Sequence, residues 1–221
     1  MAALIEEIDP EAIRGAMAGV RQEIALACER AGRDPAGVQV VTASKYVGVE
    51  DMGLLAEAGI RLVGENRAQD LEAKEQAWPG RFEFDFIGRL QSRKVKQVAP
   101  LVRLIHSVAS ESVLAQLERH GTPDTRILVQ VNVAGEDAKE GVDPDALGAF
   151  IDRSPVPVVG LSTMPPFVED PELSREWFAR LAGLAREHGL PELSMGTTQD
   201  FPVAVEEGAT LVRVGSRILR P

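Results

Sequence analysis

Residues 38–65 read VQVVTASKYVGVEDMGLLAEAGIRLVGE and contain the repeating unit on which the fold depends. The segment Val38–Lys45 is rich in β-branched residues and predicts a strand, as does Arg61–Glu65. Between them, Val49–Ala58 has the apolar spacing of a helix, and Gly59 follows where helices commonly end. A strand, a helix and a second strand in this order predict two parallel strands joined by a helical crossover.

The same unit recurs along the rest of the chain. Further β-branched, apolar runs predict strands at Phe82–Gly88, Arg103–Val108, Arg126–Val133, Val156–Met164, Leu190–Gly196 and Thr210–Ile218. Amphipathic stretches predict helices at Arg67–Ala77, Ser110–His120, Asp143–Asp152, Leu173–His188 and Phe201–Glu207. Eight strands alternating with helices predict a compact (β/α)8 TIM barrel, with residues 1–221 forming a single domain. An open doubly wound sheet ranks second, because the glycine-rich turn usual after its first strand is absent.

An extra helix is predicted within the N-terminal segment 1–35. Asp9 followed by Pro10 is typical of an N-cap with proline in the first helical position. Gly32 and Pro35 predict where this helix ends.

Composition favours a cytoplasmic protein that binds neither membranes nor nucleic acid. The net charge is −10, from 24 basic and 34 acidic residues, which disfavours a general affinity for nucleic acid. The stretch Arg89–Lys96 is locally basic and is interpreted as a solvated face, with an anion-binding patch as the alternative. No apolar run reaches membrane-spanning length, and the N-terminus lacks the features of a signal peptide. The one cysteine, Cys28, excludes an internal disulfide and predicts a buried thiol.

In a (β/α)8 barrel the functional residues lie at the C-terminal ends of the strands and in the loops that follow. The first predicted strand ends at Lys45, which continues an apolar face with Val41 and Ala43. Burial favours a neutral lysine amine, which is the nucleophile that Schiff-base formation requires. The alternative is a lysine that extends into water from the end of the strand.

Two more strand ends carry candidate ligand-binding residues. Asn66 follows the second strand and offers an amide that can hydrogen-bond a ring hydroxyl, although the N-cap of the next helix is an equally good role. Met164 ends the sixth strand, where it can pack near a cofactor ring or belong to the apolar core.

The loops after the seventh and eighth strands predict a phosphate site. Glycine allows an anion to approach the backbone, and hydroxyl side chains add donors. The candidate residues here are Ser194, Gly196, Thr197, Thr198, Gly215 and Ser216. Within the eighth strand, Arg213 shares a face with Leu211 and requires a partner, either the nitrogen of a cofactor ring or an acidic neighbour.

Taken in order, these segments resemble the pyridoxal phosphate homeostasis protein family, also called the proline synthetase co-transcribed homologues. The resemblance covers nearly the whole chain and rests on VTASK at 41–45, GEN at 64–66, FIGRLQS at 86–92, GLSTM at 160–164, SMG at 194–196 and VRVGS at 212–216. It implies a barrel like the N-terminal domain of alanine racemase. It also implies pyridoxal 5′-phosphate held as a Schiff base on Lys45, with Arg213 facing the ring nitrogen and the last two loops contacting the phosphate.

The resemblance further implies a carrier that buffers vitamin B6 and passes the cofactor to apo-enzymes, as a monomer or weak dimer without robust turnover. Some positions depart from the family pattern. Gly196 is followed by Thr197-Thr198 where the family usually has Met-Ser, although Thr198 keeps a hydroxyl. Asp85 stands where histidine is common, Arg93 stands where asparagine is common, and the C-terminus lacks the usual aromatic-glycine tail.

The main alternative is an amino-acid racemase that uses the same Schiff base. Racemisation requires a second base on the other face of the substrate. The only tyrosine, Tyr46, follows Lys45 directly and would point away from it if the strand continued.

A third alternative is an unrelated phosphate-ester enzyme, which would need paired carboxylates or a metal cluster. Glu65 and Asp200 are the only obvious acids at the strand ends, and the three histidines lack metal-ligand spacing. The carrier is therefore the favoured prediction.

Overall fold

The computed structural model describes residues 4–5, 8–135 and 140–220. All of the predicted strands are present, and they form one closed parallel barrel in the order of the sequence. The strands are β1 Gln39–Ala43, β2 Leu62–Glu65, β3 Glu83–Phe86, β4 Leu104–Val108, β5 Ile127–Gln130, β6 Val158–Ser162, β7 Glu192–Thr197 and β8 Leu211–Val214. Pairing of β1 with β8 closes the barrel, so the loops after the first and last strands are neighbours.

Helices surround the barrel. In the described part of the chain they are α1 Pro10–Ala31, α2 Met52–Glu57, α3 Ala68–Ala77, α4 Val95–Val98, α5 Glu111–His120, α6 Leu147–Asp152, α7 Arg175–Glu187, α8 Phe201–Glu206 and α9 Ser216–Leu219. The short helix α4 was not predicted, because a single turn between two 3₁₀ segments shows no clear periodicity.

The predicted strand Thr210–Ile218 is wrong at its C-terminal end. The strand β8 stops at Val214, and α9 begins at Ser216. Within this helical turn the side chains of Ile218 and Leu219 are buried. A short apolar run in a sequence does not show whether its residues form a buried turn of helix or a strand.

The N-terminal helix α1 has the predicted ends. The Asp9 carboxylate accepts a hydrogen bond from the Glu11 amide, and Gly32 adopts a left-handed conformation with φ of 64°. This helix packs against α8 and α9 beside the closure of the barrel. Cys28 is fully buried in α1, and burial raises the pKa of its thiol.

The barrel interior changes from apolar to polar along its axis. A buried cluster of Val41, Leu104, Leu128 and Leu211 fills one level. Two residues further along β4 and β8, the same strand faces carry His106 and Arg213, because side chains alternate with a period of two. A polar layer therefore lies between the apolar cluster and the C-terminal face.

The basic stretch Arg89–Lys96 lies largely at the surface, as expected for a solvated face. Arg89 is ion-paired with Glu140, and Arg93 donates to the side-chain oxygen of Gln91. Among the residues that the structure describes, no helix is both long and apolar enough to span a membrane.

Candidate functional site

Lys45 lies in a turn just beyond β1. The predicted continuation of the strand to Lys45 is wrong, because β1 ends at Ala43 and the Val47 amide donates to the Ser44 carbonyl. Lys45 is partly buried, and its Nζ lies 4.8 Å from the ring centroid of Tyr46. Tyr46 was expected to point away from Lys45 if the strand continued; the strand ends before Lys45, and the ring lies beside the lysine amine. Within the described residues, the Lys45 amine forms no ion pair or hydrogen bond.

A buried ion pair supports the turn that carries Lys45. Lys74 on α3 is 2% exposed and is ion-paired with Glu65, the last residue of β2. Its Nζ also donates to the Ser44 carbonyl oxygen at 2.9 Å, and the Ser44 hydroxyl donates to Glu65 Oε1 at 2.6 Å. Lys74 was not among the residues predicted from the sequence, although the spacing of Ala68, Leu71 and Lys74 on one helical face was an available signal.

Asn66 lies in the same cavity as Lys45, which has a volume of about 310 Å³. The N-cap position of α3 is occupied by Arg67, so the N-cap alternative for Asn66 is wrong. A Cβ on Gly88 would lie 2.3 Å from the Asn66 carbonyl oxygen. The backbone at Asn66, just after β2, therefore passes so close to Gly88 that no side chain fits at position 88, and glycine is required there.

Arg213 is a buried cation whose hydrogen-bond partners are all neutral. Its Nη1 donates to the carbonyl oxygen of Ser194 at 2.9 Å and to the Ser194 hydroxyl, while Nη2 donates to the Thr163 carbonyl oxygen at 2.8 Å. Among the described residues no carboxylate is ion-paired with it, and Asp200 attracts it only at longer range. Burial lowers the pKa of Arg213 to about 10. The alternative of an ion pair with an acidic neighbour is therefore wrong.

Met164 lies against this guanidinium group and is not part of the core. Its Sδ is 3.0 Å from Arg213 Nη2, and 52% of its surface is exposed. The core alternative for this methionine is wrong, because the chain leaves β6 at Ser162 and carries Met164 out onto the C-terminal face.

The loops after β7 and β8 meet, as the sequence predicted. Gly196 has φ of 85°, and a Cβ there would lie 2.6 Å from the Ala204 Cβ, so both conformation and space require glycine. The Gly215 amide donates to the Thr198 hydroxyl at 3.2 Å, which joins the two loops. A Cβ on Gly215 would lie 3.3 Å from the Ala43 Cβ, so these loops also reach the end of β1.

Two hydroxyl residues of these loops have different surroundings. The Thr197 amide and hydroxyl both donate to Asp200 Oδ1, at 2.7 and 3.1 Å, so this residue closes its own loop. Ser216 is exposed at the first position of α9.

An interior chain of hydrogen bonds lies below Arg213. The Ser194 hydroxyl is 2.8 Å from His106 Nδ1, and His106 Nε2 is 3.0 Å from the Asp85 carboxylate. Arg103 contacts both oxygens of Asp85, at 3.0 and 2.7 Å. This role of His106 was not predicted from the sequence, where the histidine was weighed only as a metal ligand, since nothing in one sequence shows which inward-facing residues of different strands meet.

The candidate residues line two cavities on the C-terminal face. Lys45 and Asn66 line the larger one, whereas Arg213 lines a cavity of about 120 Å³ together with Met164, Gly196 and Thr197. Thr198 and Ser216 line neither cavity, and Ser194 lies below them inside β7. The structure thus brings the predicted residues to one face without merging them into one pocket.

The two acids expected at the strand ends are both bonded within the fold. Glu65 is fully buried beside Lys74, and Asp200 accepts two hydrogen bonds from Thr197. His120 ends α5 and His188 follows α7, while His106 lies inside β4. No group of three or more potential metal ligands occurs among the described side chains.

Comparison with known proteins agrees with this architecture. No protein-family model matches the chain. The sequence is 39% identical over 211 residues to a pyridoxal phosphate homeostasis protein of Aquifex aeolicus, which covers 89% of this chain and 92% of the relative. The structure of PipY from Synechococcus elongatus with pyridoxal phosphate bound superposes with a TM-score of 0.77 at 27% identity, covering 94% of this chain and 99% of PipY.

Alanine racemase from Corynebacterium glutamicum has a TM-score of 0.71 at 16% identity and covers 99% of this chain but 63% of the racemase. At that identity the likeness concerns the fold alone. Fold and site together define an alanine racemase-like (β/α)8 barrel with a lysine just beyond its first strand. The chain belongs to the pyridoxal phosphate homeostasis protein family. The resemblance drawn from the sequence motifs is therefore confirmed.

Proposed function

We propose that this protein binds pyridoxal 5′-phosphate as a Schiff base on Lys45 and acts as a carrier in vitamin B6 homeostasis. The observation that carries the proposal is the position of Lys45, on the C-terminal face of the barrel and without an ion-pair partner among the described residues. Family membership supports it, since PipY has been solved with pyridoxal phosphate bound. The cofactor supplies an aldehyde, which condenses with the lysine amine with loss of one water.

The residues present fit this cofactor. Arg213 has a buried guanidinium without an ionic partner in the described structure, and it suits the acceptor nitrogen of a pyridine ring. Glycines and hydroxyls of the loops after β7 and β8 suit a phosphate group. In this proposal Asn66 and Met164 contact the ring, Ser194 holds Arg213, and Gly196, Thr197, Thr198, Gly215 and Ser216 form the phosphate loops.

We further propose that the protein is not a robust enzyme. Tyr46 packs against the Lys45 amine itself, so its ring lies on the lysine side of any bound substrate. A second base for racemisation would have to lie on the opposite side. An arginine facing the ring nitrogen also disfavours protonation of the ring and weakens its capacity to accept electrons.

We propose one domain over residues 1–221 and a cytoplasmic monomer or weak dimer that passes its cofactor to apo-enzymes.

Absorption spectroscopy tests the proposal. The wild-type protein with pyridoxal phosphate is expected to show the visible band of a Schiff base, and Lys45→Ala is expected to lose it. Lys96→Ala is the matched control, because Lys96 is exposed on α4 and should leave the band intact. After borohydride reduction, the label should lie on the peptide containing Lys45. Label mainly on Lys74, or on Lys139 outside the described residues, would contradict the assignment.

The same loaded protein is then assayed for alanine racemisation. We expect rates near those of free pyridoxal phosphate, because Tyr46 packs against the Lys45 amine and is not placed to act as a second base on the opposite side. A turnover number of about 1 per second or more lies in the ordinary enzyme range and would overturn the carrier proposal.

A further inference from the structure

The interior relay consists of Arg103, Asp85, His106, Ser194 and Arg213, linked by hydrogen bonds in this order. Arg103 donates hydrogen bonds to both carboxylate oxygens of Asp85. The Oδ2 atom of Asp85 is also 3.0 Å from His106 Nε2. On its other side, His106 Nδ1 is 2.8 Å from the Ser194 hydroxyl, which accepts from Arg213. The relay therefore crosses the barrel from β4 and β3 to β7 and β8.

Four of the five members are buried. Asp85 and Ser194 are 0% exposed, His106 is 2% exposed and Arg213 is 7% exposed. Only Arg103 reaches solvent, with 33% of its side chain exposed, at the opposite end of the barrel from Lys45. Placing charged and polar groups in a barrel interior is costly unless each is paired, and apolar residues would fill the same space without that cost.

From Arg213 to Asp85 the hydrogen bonds can all run in one direction, and Arg103 donates to Asp85 from the other end. Burial lowers the pKa of His106, against the opposing influence of Asp85, so the imidazole is neutral. Burial also disfavours ionisation of Asp85, but hydrogen bonds from His106 and Arg103 outweigh it and lower the pKa of the carboxyl. His106 Nε2–H then donates to the carboxylate, and Nδ1 accepts the Ser194 hydroxyl proton. The lone pairs of the Ser194 oxygen are left to accept from Arg213.

The order of the groups has an electrostatic consequence. Asp85 is the carboxylate of the relay, and it is held two side chains away from Arg213 with Arg103 as its direct ionic partner. Arg213 is thus fixed at its Nη1 end by a neutral hydroxyl and a carbonyl. Its positive charge is not cancelled by a contacting carboxylate among the described residues.

We propose that Asp85, His106 and Ser194 are positioning residues that hold Arg213 as a charged, oriented donor toward the ring nitrogen of the bound cofactor. This inference rests on the proposed function. It assigns a ligand-directed role to three residues that do not themselves reach the cofactor. It also explains why a histidine, a serine and an aspartate replace apolar residues in the middle of the barrel.

The test compares two aldehydes that differ at the ring nitrogen. Pyridoxal contains the nitrogen and lacks the phosphate, whereas 2-hydroxybenzaldehyde forms a Schiff base with lysine but has no ring nitrogen. Removing the relay hydroxyl in Ser194→Ala should weaken pyridoxal binding by about tenfold, as expected for one hydrogen bond to a charged group. Binding of 2-hydroxybenzaldehyde should change by less than about twofold, since it never uses the nitrogen contact.

Two further variants make the result specific to the relay. Asp85→Asn keeps the shape of the side chain and should give a smaller loss of pyridoxal affinity than Ser194→Ala, because Asp85 is separated from Arg213 by the side chains of His106 and Ser194. Ser162→Ala is the matched control, since the buried Ser162 hydroxyl donates only to the main-chain carbonyl of His106. It should bind both aldehydes like the wild type. Thermal unfolding of each variant shows whether the fold is kept.

The outcomes separate the relay from the proposed function. If the wild type forms no Schiff base with any of the aldehydes, the proposed function fails. If the wild type forms it, and Ser194→Ala or Asp85→Asn weakens both aldehydes equally or neither of them, the relay has only a structural role and this inference is wrong.

Discussion

Two buried cations near adjacent sectors of the barrel are held in different ways. On the side of β1 and β2, Lys74 is ion-paired with Glu65, and both side chains are almost fully buried. On the side of β7 and β8, Arg213 contacts two carbonyl oxygens, a hydroxyl and a thioether. Both cations lie close to a proposed cofactor-binding residue, the first beneath Lys45 and the second beside Met164.

The difference shows which cation is structural and which is available to a ligand. A buried lysine with its own carboxylate and a main-chain acceptor is electrostatically complete, and it fixes the turn that carries Lys45. A buried guanidinium whose partners are all neutral keeps its full positive charge, and it therefore still attracts a hydrogen-bond acceptor or an anion.

Breaking the Lys74–Glu65 pair should be the most destabilising change. Lys74→Met leaves the Glu65 carboxylate buried without its ionic partner, and removing one member of such a pair costs about 3–5 kcal/mol. Urea unfolding measures the loss. The exposed Lys96→Met is the matched control and should change stability by less than about 0.5 kcal/mol.

A second substitution sharpens this result. Glu65→Leu in the Lys74→Met background removes the stranded carboxylate and should restore part of the lost stability. A loss below about 1 kcal/mol for Lys74→Met alone would show that the pair contributes as little as a surface salt bridge.

Hydroxyl deletions in the loops after β7 and β8 should have a smaller effect, confined to phosphate. We expect Ser216→Ala to weaken pyridoxal phosphate binding by roughly ten- to a hundredfold, or about 1.5–3 kcal/mol, and to leave pyridoxal binding unchanged. Thr198→Ala should show a similar loss of affinity for pyridoxal phosphate. It should also weaken pyridoxal binding slightly, because the Thr198 hydroxyl accepts a hydrogen bond from the Gly215 amide and so helps to hold the two loops together. If Ser216→Ala weakens the binding of pyridoxal phosphate and of pyridoxal equally, Ser216 does not contact the phosphate group and the phosphate site lies elsewhere.

The smallest effect concerns the pH dependence of stability. Burial lowers the pKa of His106 in the folded protein from its ordinary value of 6.5, with Asp85, Arg103 and Arg213 as the charged groups that act on it. As the pH falls below about 6.5, the unfolded chain binds a proton that the folded protein resists, so stability falls. The contribution of one such group is at most about 1.4 kcal/mol per pH unit.

Chemical unfolding at pH 7 and pH 5 measures this dependence. His106→Gln should flatten the decline, whereas His120→Gln at the end of α5 should leave it unchanged. If His106→Gln retains the wild-type pH dependence, the decline has another origin.

Much of the fold was predictable from local patterns. The alternation of β-branched runs with amphipathic stretches predicted all eight strands, and strand order followed because each crossover is short. The ends of the strands were predicted less well. Lys45 and Ser216 both lie beyond strands that stop earlier than the apolar pattern suggests, since turns and short helices also bury apolar residues.

The sequence by itself determined the barrel, the family and the face on which Lys45 and the two glycine-containing loops meet. These features depend on periodicity and on motifs that are local in the chain. Only the tertiary structure decided which buried polar groups contact each other. Glu65 meets Lys74, and Arg213 meets Ser194 and through it His106, because closure of the barrel brings together residues from β7 and β4 that lie 88 positions apart. No local pattern encodes such a contact, since its partners depend on strand order, register and the direction in which each side chain faces.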